Sequence, residues 1–148
     1  MDTREKLEAA LKEAMRSGDE MRKQTVRMVM SAIKLAEVEK GTRLDEAGIL
    51  AVLQKEVKSR AEALQDAQKA GRSDLAEKAR AESAFLESFL PQPLSPTELE
   101  ALAREAIQEA NAKTAADMGR VMKILMPKVQ GRAAGDQVSQ AVRRLLQS

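Results

Sequence analysis

The chain has 148 residues, a formal net charge of +2 and no histidine, cysteine, tryptophan or tyrosine. Those absences exclude Cys/His zinc sites, thiol nucleophiles, disulfides and histidine acid–base chemistry. With Phe85 and Phe89 as the only aromatics, base-stacking platforms for single-stranded nucleic acid are nearly excluded as well. No apolar run approaches the roughly 20 residues that cross a bilayer, and the charged start Met1-Asp2-Thr3-Arg4-Glu5 lacks a signal-peptide core. These features lead to the expectation of a soluble, cytoplasmic protein with no metal, no cofactor and no catalytic residue.

Helical periodicity dominates the pattern, and no segment alternates with period two, so the expected fold is all-α. A first helix carries Leu7, Leu11, Ala14 and Met15 on one face, with Asp2 and Glu5 as a capping box and Gly18 as its stop. A second starts at Asp19, buries Met21, Thr25, Met28, Val29, Ala32, Ile33 and Ala36, and ends at Gly41. A third begins near Asp45, with Leu50, Leu53, Val57, Leu64 and Ala67 on one side, and Gly71 closes it. Its Lys55, Lys58, Arg60, Lys69 and Arg72 alternate with Glu56, Glu62 and Asp66, the pattern of a solvated charged face. Ser73 is expected to cap a fourth helix bearing Leu75, Ala79, Phe85, Leu86 and Phe89, with Glu82 an exception on that apolar side.

Leu90-Pro91-Gln92-Pro93-Leu94-Ser95-Pro96 cannot be continuous helix, because proline removes a donor and restricts its predecessor. The expected organisation is a four-helix domain over 1–90, a proline-rich hinge over 91–95 and a three-helix unit over 96–148. Ser95, Pro96 and Glu98 open the fifth helix, whose stripe is Leu99, Leu102, Ala106 and Ile107. Thr114 with Asp117 opens a sixth around Met118, Val121, Met122 and Leu125, which Pro127 is expected to break or kink. Gly135 or Asp136 starts the seventh, burying Val138, Ala141, Val142 and Leu145.

The chain's end is basic. Lys113, Arg120, Lys123, Lys128, Arg132, Arg143 and Arg144 face only Asp117 and Asp136 there, a bias that suits a polyanion. Arg120 and Lys123 are helix neighbours, and with Arg132 from the next loop they are the expected phosphate clamp, with Lys128 and Arg143 as secondary contacts. Gly119, inside a helical pattern, suggests a close approach by a packed helix, the favoured reading, or by RNA. Gly131 and Gly135 flank a loop and suggest turns. No strand precedes these glycines and no Gly-Lys-Ser/Thr follows them, so they do not form a nucleotide loop.

Taken in order, Val26-Arg27-Met28-Val29-Met30-Ser31-Ala32-Ile33-Lys34, Val52-Leu53-Gln54-Lys55-Glu56-Val57-Lys58-Ser59-Arg60, Ala70-Gly71-Arg72-Ser73-Asp74-Leu75-Ala76, Phe89-Leu90-Pro91, Met118-Gly119-Arg120-Val121-Met122 and Gly131-Arg132-Ala133 resemble the GatB/YqeY family over essentially the whole chain. The chain departs from the family's usual pattern at Phe89, Ala134 and Asp136. The resemblance implies an all-helical protein related to the C-terminal helical and tail domains of the B subunit of tRNA-dependent amidotransferases. Those enzymes are carbon–nitrogen ligases that use glutamine as amido-N-donor, and the tail contacts the outer corner of tRNA. This chain is similar to that tail without the glutaminase and ATP-using domains. The resemblance therefore implies a non-catalytic accessory protein that binds tRNA and assists an amidotransferase or another tRNA-processing enzyme, with neither membrane nor DNA as partner. The alternative is a helical protein–protein adaptor that binds no RNA.

Overall fold

The computed structural model describes residues 1–147, and among them it is all-helical, with seven α-helices and no strand. The chain divides into two compact units, Met1–Leu90 and Pro91–Ser148.

The first unit holds α1 (Thr3–Ser17), α2 (Glu20–Lys40), α3 (Glu46–Lys69) and α4 (Ser73–Glu87). Local chemistry sets the starts. The side chains of Asp2, Asp19 and Asp45 accept from the backbone N–H three residues on, at Glu5, Arg22 and Gly48, relieving donors that a helix cannot satisfy internally. Leu7, Val26, Val29, Ile33, Ile49, Leu50, Leu53 and Leu86 form the core. Glu37 ties the α2–α3 turn in place: it accepts from Leu44 N at 2.8 Å and from Arg4 Nη2 at 2.7 Å. Those two bonds, led by the one from Leu44, hold its carboxyl below the usual range.

Several expectations fail here for identifiable reasons. Met15 and Met28 are exposed, whereas Val26 and Ile49 are buried; Leu7, Ala14, Thr25, Val29, Ile33, Leu50, Leu53 and Ala67 are buried as expected, so the misses lie at the edges of the stripes. Ser73 is the first residue of α4 and makes no cap; the preceding Arg72 instead pairs with Asp74. Arg60 does not belong to a solvated face. It is only 7 % exposed, and its guanidinium spans Glu56 at 2.7 Å and Glu82 at 2.9 Å, joining α3 to α4. This explains why Glu82 interrupts an apolar stripe. Burying a guanidinium is costly unless its donors are met, and two carboxylates and the Met28 sulfur, 3.4 Å from Nη2, meet them.

The second unit holds α5 (Pro96–Glu109), a 3₁₀ turn (Ala115–Asp117), α6 (Met118–Val129) and α7 (Gly135–Gln147). Ser95 and Glu98 complete a capping box at α5, with Pro96 at the first helical position. Ala103, Ala106 and Ala110 let α5 pack closely on Val121, Leu125, Val129, Val138 and Val142. Pro127 does not end α6, which runs on to Val129. Proline lies in the last turn, so it removes a single ladder donor there, and the helix stops at Gln130, whose φ is 51°. The segment Pro91–Ser95 is fastened to its own unit by Leu94 N, which donates to Arg132 O at 2.9 Å.

Replacing Arg60 by alanine leaves Glu56 and Glu82 facing each other in a largely dry site. We expect this to lower urea-unfolding stability by about 3 kcal/mol. Substituting Arg60 with methionine and Glu82 with leucine together should recover most of that loss. An R60A protein as stable as the parent would contradict the structural role.

Candidate nucleic-acid interface

The cations singled out by the sequence all lie in the C-terminal unit, and their bonding separates them into two groups. Arg120, in the first turn of α6, donates from Nη1 to the Ala110 carbonyl at 2.9 Å and from Nη2 to Asp117 Oδ1 at 2.7 Å. It thereby covers a free carbonyl at the negative end of α5. Lys128 pairs with Glu109 on that same helix. Arg132 reaches the other end of α5: Nε donates to Gln92 O at 2.8 Å, and Nη2 lies 3.4 Å from Glu98 Oε2.

Arg120 and Arg132 are thus anchored near Ala110 and Glu98 respectively, which about 18 Å of helix separates. The compact clamp of Arg120, Lys123 and Arg132 is not formed. The guanidiniums of Arg120 and Arg132 staple the unit together. Lys123 and Arg143 are exposed and have no hydrogen-bond or ion-pair partner among the described residues. Arg144, which the sequence reading left out of the site, shares that condition. A signal existed: no acid lies three or four residues from Lys123, Arg143 or Arg144, whereas Asp117 lies three before Arg120.

The glycines divide similarly. Gly131 has φ 76°, a left-handed conformation that a side chain strains. It turns the chain so that Ala133 can enter the core. Gly135 has no positive φ and is simply the first residue of α7. Gly119 meets nothing within 4 Å of an added Cβ, so no packed helix accounts for it, contrary to expectation.

Asp117 organises the entry to α6. Its Oδ2 accepts from Lys113 N at 2.9 Å and Thr114 N at 3.2 Å, while Oδ1 takes Arg120. The Lys113 N–H, then Arg120, then the Thr114 N–H bring its carboxyl down to about 2. Glu98 is likewise held low, first by Ser95 and then by Arg132. Among the described residues no group of His, Cys, Asp or Glu could hold a metal ion, and no helix is long and apolar enough to cross a membrane.

A model of the Yqey-like protein family matches residues 4–146, and the chain belongs to that family. Among curated relatives, the altered inheritance of mitochondria protein 41 of Vanderwaltozyma polyspora is 30 % identical over 72 % of this chain and 60 % of its own length. The same-named proteins of Lachancea thermotolerans (32 % over 62 % of this chain, 50 % of its own length) and Pyrenophora tritici-repentis (27 % over 86 %, 71 % of its own length) are also similar. The match spans 60 % and 50 % of the first two relatives' lengths. All three are named as mitochondrial proteins, which corrects the cytoplasmic expectation: the character of the first residues was no guide to compartment.

Two outcomes check the bonding. A carboxyl whose folded pKa lies below its unfolded value stabilises the fold above about pH 4, and that contribution disappears as pH falls towards 2. The parent should therefore melt above Asp117→Asn at neutral pH, with the gap closing over that acid window; a gap independent of pH would refute the assignment. Replacing Arg132 with alanine should cost about 1 kcal/mol of stability and speed proteolysis near Gln92.

Proposed function

We propose that this protein is a non-catalytic accessory factor whose C-terminal unit binds the phosphate backbone of tRNA. The observation that carries the reading is that the C-terminal unit presents exposed cations without internal partners among the described residues, among them Lys123 on α6 and Arg143 and Arg144 on α7. A cation already holding a carboxylate or carbonyl must give up that bond to take a phosphate, whereas these three give up only water. The GatB/YqeY resemblance, with its tRNA-contacting tail, supports the same partner. With no stacking aromatic in the unit, recognition rests on backbone and shape. A tRNA-processing or amidotransferase enzyme is the accompanying protein partner that this reading expects. The relatives' names make mitochondrial tRNA the first pool to try.

Bulk tRNA titrated by fluorescence anisotropy should bind with steep salt dependence, because each neutralised phosphate releases counterions. Exchanging Lys123, Arg143 and Arg144 for glutamine should weaken binding and flatten the log–log salt slope by roughly one unit per lost contact. Arg120→Gln should lower the melting temperature and leave the slope unchanged. Gly119→Ala should raise helix stability slightly; a simultaneous loss of tRNA affinity would place the backbone of α6 against the phosphates. No salt-sensitive binding by the parent would leave the adaptor reading as the better one.

A further inference from the structure

The exposed face of α2 in the first unit is unlike an ordinary solvent face. Met28, Leu35 and Val38 are 52 %, 61 % and 72 % exposed. They are apolar side chains on a helix whose buried side is already filled by Thr25, Val26, Val29 and Ile33. Met28 and Leu35 are seven residues apart and Val38 follows three later, with small Ser31 and Ala32 between. That is the spacing of a seam that receives another helix, its apolar side chains at the a and d positions of a heptad.

Arg27 and Lys34 precede Met28 and Leu35 by one residue each, which puts both in the same flank of the seam. Both are exposed and have no ion-pair or hydrogen-bond partner among the described residues. Some other helix-surface cations of this unit are paired locally, such as Arg16 with Glu13, Arg22 with Asp19 and Lys23 with Glu20, while others, Lys12 and Lys55 among them, are also without a partner among the described residues; what sets Arg27 and Lys34 apart is their place beside the apolar seam. Arg27 and Lys34 also line an open cleft of about 540 Å³ between α1 and α2, together with Leu7, Leu11 and the carboxylates of Glu8 and Glu37, the latter already held by Arg4. The apolar seam and its cationic edge therefore run side by side along α2.

We propose that this face of α2 docks an acidic amphipathic helix of a protein partner, whose apolar side covers Met28, Leu35 and Val38 and whose carboxylates pair with Arg27 and Lys34. The sign of the flank selects the occupant. A second copy packed antiparallel would set Arg27 and Lys34 against their own counterparts, and one packed parallel would pair Lys34 with Glu39 but leave Arg27 facing Ala32, so it meets one cation of the two. An acidic helix neutralises both cations at once, and interfacial charge of this kind governs partner choice and association rate. The site is separate from the cations assigned to tRNA, so either reading can fail without the other.

The test uses the full-length protein and a fluorescent helical peptide about three heptads long, with leucine at a and d and glutamate at e and g. A second peptide has lysine in place of every glutamate. The glutamate peptide should bind and the lysine peptide should not. Replacing Arg27 and Lys34 together with glutamate should weaken the glutamate peptide at least roughly tenfold and admit the lysine peptide. Leu35→Ser with Val38→Ser should abolish binding of the glutamate peptide. All four positions are exposed, so circular dichroism should be unchanged and confirm the fold of each variant. Binding of neither peptide, or equal binding of both, would overturn the proposal. So would a dimer of the parent in sedimentation that Leu35→Ser dissolves, or binding to phosphatidylserine vesicles that the Arg27/Lys34 variant loses while peptide binding persists.

Discussion

Arginine side chains whose donors are taken by carboxylates and carbonyls fix how the helices of this protein meet around its aliphatic cores, in a chain whose only aromatics are Phe85 and Phe89. Arg60 shows the principle at its strongest. Buried between α3 and α4 and satisfied by Glu56 and Glu82, it fixes how the most extensive helix pair of the first unit sits together. Removing one partner would strand a charge in a dry site, so the pair specifies geometry as much as it adds stability. Aromatic packing is confined to the edge-on contact of Phe85 with Phe89, centroids 5.2 Å apart, and to Arg22 over the Phe85 ring at 5.0 Å. Even there a guanidinium takes part.

The same use of arginine organises the second unit and defines what is left for function. Arg120 and Arg132 close the two ends of α5, one on the Ala110 carbonyl and one on Gln92 and Glu98. A guanidinium with its fork occupied in this way is a structural group. The capacity to meet an external anion passes to the cations that the fold leaves alone. Among those are Lys123, Arg143 and Arg144 in the second unit and Arg27, Lys34 and several other exposed lysines in the first. On the proposed readings, nucleic acid and protein partners would meet different units, each through cations that the fold has not used.

The helices were readable because their signals are local. Asp2, Asp19, Asp45 and Ser95 cap within three residues, and Gly18 and Gly41 stop helices with positive φ. The faces were less readable. A stripe drawn through large side chains chose Met28 over Val26, although the smaller β-branched residue is the one the core admits. The bonding of the candidate site residues was hidden for a different reason. The pairing of Arg120 with Asp117 has a helix-neighbour signature, but Lys128 with Glu109 and Arg132 with Glu98 are 19 and 34 residues apart. Spacing alone carries no trace of such bonds, so basic residues that look alike in sequence divide into bound and free only once the helices are packed. The Arg60–Glu82 pair, 22 residues apart, was hidden in the same way, although an acid inside an apolar stripe was a visible hint.

The central claim is that free cations, and not stapling ones, meet tRNA. Amine acetylation of the native protein with and without bulk tRNA, read at each lysine by mass spectrometry, tests it most directly. Lys123 is unpaired and Lys128 is held by Glu109 on the neighbouring helix. The account predicts that tRNA protects Lys123 while the slower labelling of Lys128 stays as it was. Protection of Lys128 with Lys123 unchanged, or no protection of either, would contradict it.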